Sequence, residues 1–402
     1  MDFKTIDETL NWVMSRRRSG QTFEQFKDIC KKLNNPQNGF YTIHVAGTDG
    51  KGSTCAFLRD LLMEYGYKVG TYTSPHYLTH LDRIRINNIN IPGERFEKYL
   101  DNRYELIMKY NLSMFEIDYL IMCDYFKDEN VDFAIVEVGL GGRLDATNVV
   151  DDTKLSVITT IGYDHMERLG NTLEEICFEK CGIIKPDSKV LMGHLNDECT
   201  KVVEEVCKKR NSTLYKLGEL IDKEDRSFEY NGNEYKLRSY AKYQIHNASL
   251  ALNALDIISK DKGFELDVEK SRRAISNSMW QCRFEVVKEN PRVILDGAHN
   301  IHGIEALTNS FDQFTGSKCI IFSALKRKEY QKMVDELKKH TDELIITTFP
   351  NNEVIDLKDF NNENCFDDYK AAIDYAIKKY DNVLICGSLY FMSEIALNYK
   401  FD

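Results

Sequence analysis

Residues 41–54, YTIHVAGTDGKGST, decide how this chain folds, because an apolar run ends there in three glycines, a lysine and two hydroxyl residues. Gly47, Gly50 and Gly52 permit turns and close backbone approaches that a side chain would obstruct, and Lys51 supplies a mobile positive charge. Thr48 and Asp49 complete the loop. The stretch that follows, STCAFLRDLLMEYG, has helical apolar spacing and would set its N-terminal dipole and free N–H groups beside the turn. The expected unit is strand, phosphate loop, helix, with Ser53 or Thr54 able to give an oxygen to magnesium. Gly52 separates Lys51 from Ser53 and so departs from the general G-x-x-x-x-G-K-[ST] spacing. A glycine-rich structural turn is therefore the competing reading, and the strand-to-helix context favours nucleotide phosphate.

A chain of 402 residues buries a substantial core and divides into two or three domains. Its formal net charge of -11 disfavours a broad nucleic-acid surface but allows an anionic ligand in a small positive pocket. No basic stretch leads into an apolar secretory segment and no run is long enough to cross a bilayer, so a cytoplasmic protein with no membrane partner is expected. Eleven cysteines without a C-x-x-C pair read as reduced residues. Cys177 and Cys181 can share a helical face, where packing is favoured over metal binding.

Outward from the opening motif, residues 1–40 contain helix-compatible segments, and the basic cluster SRRRSG at 15–20 reads as an exposed patch before a carboxylate contact. YKVGTYTSPH resembles a strand and its exit loop, which sets Ser74, Pro75 and His76 where polar groups reach ligands. In HLDRIRINN, Arg83 and Arg85 stand at strand spacing on one face, either receiving a charged substrate tail or lining a solvated edge. VDFAIVEVG is a strand with Glu137 near its end, and a carboxylate in such an apolar run needs a partner, magnesium being favoured over an ion pair. The loop from Gly139 to Asn148 has the flexibility to surround a heteroaromatic or phosphorylated ligand, through Arg143, Asp145, Thr147 and Asn148, unless these groups only form turns.

KLSVITTIG leads to Asp164 and His165, and His165 can ligate magnesium or make a structural hydrogen bond. NTLEEICFEKCGIIKP reads as a helix ending near Gly182, on which Lys180 contributes charge to the reaction centre or remains a surface lysine. Residues 197–240 read as the outer part of the first domain. AKYQIHNASLALNALDII is helical with Asn247 near its start, either a base or phosphate contact or a cap. Beyond 281 a second α/β domain begins, whose first strand PRVILDGAHN delivers Asp296, His299 and Asn300 to one exit loop, while GSLY sets Ser388 at another. These exits suggest a ligand cleft between domains.

A phosphate loop, two magnesium-ligand candidates and a second polar domain fit ATP-dependent ligation better than hydride transfer, for which G-x-G-x-x-G is missing after the first strand. The ordered set HVAGTDGKGST, YTSPH, EVGLGGRLDATN, ITTIGYDH, EKCGIIKP, QIHNA, DGAHN and GSLY resembles the folylpolyglutamate synthase and dihydrofolate synthase family, a branch of the Mur-type ligases. The resemblance spans nearly all 402 residues. It implies an α/β chain with a P-loop ATPase domain over 1–280, binding ATP and pterin or folate, and a smaller Rossmann-like C-terminal domain over 281–402, binding glutamate. It further implies transfer of the ATP γ-phosphate to a carboxylate of dihydropteroate or a reduced folate, then attack by the α-amine of L-glutamate on the acyl phosphate.

On that resemblance Lys51 and its neighbours hold ATP phosphates, Ser53 and Glu137 hold magnesium, and His165 resembles the histidine of a second magnesium position. Lys180 resembles a carbamate-forming lysine, which makes a carbamylated Lys180 a candidate metal ligand. Asn247, Arg283 and Asp296 resemble nucleotide-binding positions, and His299 and Ser388 resemble positions that place glutamate. Leu144, Asp145, Ala146 and Thr147, with Tyr72 to His76, would surround the pterin, and GGRLDATN is more like members that make dihydrofolate as well as polyglutamates. A monomer is expected.

Three departures stand out: Asp49 where the family has asparagine, Gln281 and Cys282 where it has proline and glycine, and Ala324 to Lys328 in place of an aspartate-lysine pair. A Mur-type ligase acting on a cell-wall precursor, a polyglutamate-only enzyme and a noncatalytic nucleotide binder are the alternative readings.

Overall fold

The computed structural model describes residues 5–17, 19–360 and 364–401, so Arg18 of the basic cluster lies outside the described residues. The chain forms two compact units, Met1–Glu219 with Asn247–Ile275, and Leu220–His246 with Ser276–Asp402.

In the first unit, eight strands form one sheet: β1 (Tyr41–Ala46), β2 (Val69–Tyr72), β3 (Ile84–Ile86), β4 (Ile89–Asn90), β5 (Phe133–Glu137), β6 (Thr153–Ile158), β7 (Lys189–Met192) and β8 (Thr213–Lys216). Their order is β4-β3-β2-β5-β1-β6-β7-β8. The β2, β5, β1, β6, β7 and β8 ladder is parallel, and only β3 and β4 fold back antiparallel at one edge. Central strands of a parallel sheet are covered on both faces and therefore read as nearly continuous apolar runs, as IHVA and FAIVE do apart from His44 and the terminal Glu137. The register pairs Val45 with Glu137 and Ala46 with Ile158, so these three strands end level with one another. Their exit loops share one edge, the carboxyl edge at which open α/β sheets present ligand contacts.

One face of that sheet is covered by helices Gly93–Tyr110 and Met114–Asp128, whose Phe96, Leu100, Ile117, Leu120 and Phe126 join Tyr72 in one apolar cluster. Leu10, Val13, Phe26 and Ile29 from the two N-terminal helices pack into the same cluster. Ser113 starts the second covering helix with a capping box, its hydroxyl taking the Glu116 N–H while Glu116 takes the Ser113 N–H. Cys177 and Cys181 lie in a smaller apolar cluster with Cys199 and Cys207, their sulfurs 3.9 Å apart, and all eleven cysteines are free thiols.

The second unit contains a three-stranded antiparallel sheet, β9 (Ile221–Asp222), β10 (Ser227–Tyr230) and β11 (Asn233–Lys236). A six-stranded sheet holds β12 (Glu285–Glu289), β13 (Arg292–Leu295), β14 (Lys318–Phe322), β15 (Glu343–Thr347), β16 (Asn364–Phe366) and β17 (Asn382–Cys386) in the order β12-β13-β17-β14-β15-β16. Only the β12–β13 pair is antiparallel.

Two readings change here. Residues 220–246 group with the second unit rather than the outer part of the first, and PRVIL is the second strand of its sheet, since EVVKE at the edge precedes it. The edge strand is half-buried and carries Glu285, Lys288 and Glu289, so it lacks the apolar run that marks the central strands. Among the described residues no helix is long and apolar enough to cross a membrane.

Candidate active site

The phosphate loop is built by its glycines. Gly47 has φ +154° and Gly50 φ +82°, and a Cβ on either would run into Thr159 Oγ1 or Asn247 Oδ1 respectively. Gly50 stands before the helix Lys51–Glu64, so Gly52 and Ser53 fall in its first turn, where backbone N–H groups lack helical partners. Thr54 has the first such partner, Gly50 O at 2.8 Å.

Two ammonium groups converge on this turn. Lys51 Nζ donates to Gly47 O at 3.0 Å and Thr48 O at 2.9 Å, and Lys180 Nζ donates to Gly47 O at 2.9 Å. Lys180 is buried, and burial together with the Lys51 charge pulls its amine down to about 7, while Asp164 and Asp49 push it back up. A surface lysine is thereby ruled out. Phosphate oxygens would give both cations charged acceptors in place of neutral carbonyls.

Asp49, the acidic departure, is stapled by its backbone: Thr160 Oγ1 accepts its N–H at 3.1 Å, and Thr159 and Thr160 hydroxyls donate to its carbonyl at 2.6 and 3.2 Å. Thr48 is tied to the same strand exit through Thr160 O and Gly162. The Asp49 charge acts on Lys180, which supplies the local compensation its place beside a phosphate loop requires.

Ser53 and Glu137 are buried, and Glu137 accepts the Ser74 N–H at 3.1 Å. A hydroxyl and a carboxylate are hard oxygen donors of the kind magnesium takes, and magnesium characteristically uses few protein ligands beside substrate phosphates and water. The residues present therefore fit that ion. His165 is 39% exposed, with its ring 3.8 Å from Asp164 and 3.7 Å from Glu167. Among the described residues no three His, Cys, Asp or Glu side chains form a ready metal cage.

Beyond β2, Ser74, Pro75 and His76 precede a compact polar cluster. Asp82 accepts the Tyr77, Leu78 and Thr79 N–H groups, and His80 Nε2 lies 2.8 Å from Asp118 Oδ1 with both side chains buried. Arg83 is buried 3.8 Å from the other oxygen of Asp118, and Arg85 is buried against Asn90, so neither arginine lines a solvated edge. His76 is pushed down to about 4 by burial and by the charges of Arg83 and His80.

The Gly139–Asn148 loop is tied down rather than flexible. Asp145 takes the Leu140 N–H at 2.8 Å on one oxygen, and the Thr147 N–H at 3.0 Å and hydroxyl at 2.5 Å on the other. Asn148 donates to Arg143 O and Gly182 O at 3.1 Å each, and Lys185 clamps Asn148 at 2.9 and 2.8 Å. Arg143 pairs with Glu179 at 2.8 Å. The polar groups expected to face a ligand thus spend these bonds on the loop itself and on fixing it to Glu179, Gly182 and Lys185. Leu144, 58% exposed, is an apolar side chain that the loop presents outward beside the exposed Arg143, with Ala146 starting a short 3-10 turn behind it.

In the second unit, Asp296 is buried and accepts from Tyr243 OH at 2.6 Å and from the Phe284 and Ala298 N–H groups at 2.8 Å. Burial raises its carboxyl, with Arg283 the main opposing influence. His299 Nδ1 lies 2.9 Å from Gly297 O, and a carbonyl only accepts, so Nδ1 carries a proton. Ser388 caps the helix Leu389–Asn398, accepting the Tyr390 N–H at 3.2 Å. The Asp296 and Ser388 loops leave adjacent parallel strands and are joined by Gly387 N–H to Ala298 O at 3.0 Å.

A family model for the Mur ligase middle domain matches residues 45–256, and one for the Mur ligase glutamate ligase domain matches 282–389. A dihydrofolate synthase/folylpolyglutamate synthase of Bacillus subtilis is 33% identical, over 99% of this chain and 100% of its own length. The chain belongs to the dihydrofolate synthase/folylpolyglutamate synthase family of Mur ligases.

It is an ATP-dependent ligase. The Escherichia coli family member is 31% identical over 88% of this chain and 86% of its own. Among solved structures, E. coli FolC in complex with DHPP and ADP superposes with a TM-score of 0.87 at 28% identity, covering 98% of this chain and 97% of that one. The bifunctional Yersinia pestis enzyme gives 0.85 at 26%, covering 98% and 97%.

Within this family member the first unit gathers Gly47 to Thr54, Lys180, Asn247, Ser74, Glu137 and the LDAT loop along its carboxyl edge, whereas Arg283, Asp296, His299 and Ser388 belong to the second. Sequence reasoning passed over Thr159, Thr160, His44, His80 and Asp118. Two adjacent threonines after an apolar strand were the available signal for the first pair. The others sit inside regular elements, where nothing local marks their partners.

Proposed function

We propose that this ligase joins L-glutamate to dihydropteroate, and to the glutamyl tail of reduced folates, at the expense of ATP. The observation that carries the reading is the convergence of the Lys51 and Lys180 ammonium groups on Gly47 O at the start of a helix, in the same unit as the tied-down GGRLDATN loop. Two cations and the first-turn N–H groups suit the β- and γ-phosphates of ATP. The eight-stranded unit is read as the P-loop ATPase domain and the six-stranded sheet as the Rossmann-like domain that handles glutamate.

On this reading Lys51 and Lys180 exchange their carbonyl partners for phosphate oxygens as ATP binds. Ser53 and Glu137 would hold magnesium, with His165 at a second position. Magnesium supplies charge neutralisation across the phosphates. The acceptor carboxylate attacks the γ-phosphorus, ADP leaves, and the acyl phosphate forms. The glutamate α-amine then attacks the acyl carbon, expelling phosphate and losing a proton as the amide forms. His299, with its Nδ1 proton held by Gly297 O, and Ser388 place the incoming glutamate, while Asn247, Arg283 and Asp296 contact the nucleotide. In place of its ammonium, Lys180 is the candidate for a carbamate, whose carboxylate would join the magnesium ligands and leave Lys51 as the phosphate cation. An amine drawn down to about 7 supplies the neutral form that this addition needs.

The test supplies dihydropteroate and reduced folates separately, with glutamate, ATP and magnesium, and resolves amide products by mass. Glutamyl adducts on both acceptors are expected. Adducts on folates alone would remove the dihydrofolate synthase half, and ATP hydrolysis with no adduct would remove the acceptor assignment.

A further inference from the structure

His44 lies inside β1, fully buried, with Nε2 2.8 Å from Thr147 Oγ1. The Thr147 hydroxyl has a single hydrogen, committed to Asp145 Oδ1 at 2.5 Å. It must therefore accept at its other contact, which puts the imidazole proton on Nε2 and leaves Nδ1 a bare lone pair. Nδ1 is the ring atom that has no partner in its buried surroundings. Burial and the Lys185 charge push this imidazole down to about 3, so the neutral donor form holds across the physiological range. Asp145 passes the constraint on, since its second oxygen fixes the Leu140 N–H at 2.8 Å. A line of three hydrogen bonds thus runs from the interior of the sheet to the turn that presents Leu144.

We propose that His44 is a positioning residue for the acceptor site, holding Thr147 and through it Asp145, so that the Leu140–Leu144 turn is preset to receive the pterin-bearing substrate. This rests on the reading that the LDAT loop lines the acceptor site. His44 touches neither substrate nor reacting atom and acts through two intervening groups. The cost of a missing link is a buried hydroxyl or carboxylate left short of a donor. The geometry also discriminates among replacements. Glutamine sets its amide N–H near the place of Nε2, whereas asparagine sets it near Nδ1 and leucine supplies none.

The experiment measures KM for dihydropteroate, KM for ATP and kcat in wild type and in His44→Leu, His44→Asn, His44→Gln and Thr147→Val. Loss of the link, in His44→Leu, His44→Asn and Thr147→Val, is expected to raise the dihydropteroate KM about 10-fold with ATP KM and kcat within about 2-fold. His44→Gln should stay within about 2-fold of wild type. The double variant His44→Leu/Thr147→Val should be no worse than its weaker parent, because both cut one line. Amide hydrogen exchange at Leu140 and Thr147, about 10-fold faster in the disrupting variants, reads the loop without any substrate.

Equal rises in both KM values, or a lowered melting temperature with the dihydropteroate KM unchanged, would overturn the proposal. Should wild type form no amide on any pterin or folate, the acceptor reading falls by itself. Exchange at Leu140 then decides: faster in the variants sustains the His44 link, and unchanged rates remove it.

Discussion

Replacing Gly50 by alanine should damage the phosphate loop in two separable ways. The backbone there has φ 82° and ψ -10°, the left-handed region, where an L side chain costs about 1–2 kcal/mol. The new Cβ would also strike Asn247 Oδ1, a side chain only 3% exposed and therefore short of room to move. Overfilling a packed site of this kind costs about 1–3 kcal/mol, which brings the sum to about 2–5 kcal/mol. Asn247→Ala removes the obstruction but not the backbone strain. Gly50→Ala should therefore be milder in the Asn247→Ala background by about 1–3 kcal/mol, a coupling that a double-mutant cycle isolates. The chain has two tryptophans, and Trp12 belongs to the first unit whereas Trp280 belongs to the second. Urea unfolding followed by fluorescence in a Trp280→Phe background therefore reports on the unit that holds the loop. Additivity of the two substitutions within about 0.5 kcal/mol would refute the steric argument, because residues without mutual contact simply add. A loss of ATP affinity with unchanged stability would refute the strain argument.

Asp49→Asn removes a carboxylate that acts on Lys180 beside the phosphate loop, so the KM for ATP should fall about 2- to 5-fold at low salt and less at high salt, measured as initial rates across a salt series. Asp118→Asn leaves the buried Arg83 without its facing charge and should cost about 3 kcal/mol or more by urea titration, with no such loss arguing that the cluster is already neutral. Lys180 titrates near 7 in the folded chain against 10.5 when free, so between these values the unfolded state binds more protons and stability rises with pH. Lys180→Met should flatten that rise from pH 7 to 10, and an unchanged slope would place the titrating group elsewhere.

Several features were legible because they depend on near neighbours. Gly47 and Gly50 take the positive φ values that a turn of this kind requires, and the helix begins at Lys51, immediately after them. Apolar runs marked the central strands, and level strand ends brought Ser74, Glu137 and the Gly139 loop to one edge with the phosphate turn. By contrast EVVKE, half-buried at a sheet edge, carried no run to betray it. The grouping of 220–246 with the second unit depends on contacts with residues after 276, far along the chain.

By itself the sequence determined an α/β chain with a glycine-bounded phosphate turn and polar strand exits, together with the family that its ordered motifs resemble. The chain class, the turn and the strand exits follow from backbone freedom, alternation or apolar runs within a few residues, and the family from the resemblance that the order of the motifs carries. Only the tertiary structure decided what the polar groups do there. Asp145, Thr147 and Asn148 turned inward to rigidify their loop, Lys180 went beneath the phosphate turn instead of onto the surface, and Asp49 acquired cationic company. The physical reason is that a buried polar atom must find a partner, and the partner is set by packing rather than by position in the chain. His44 meets Thr147 across 103 residues and His80 meets Asp118 across 38, distances over which no local pattern carries information.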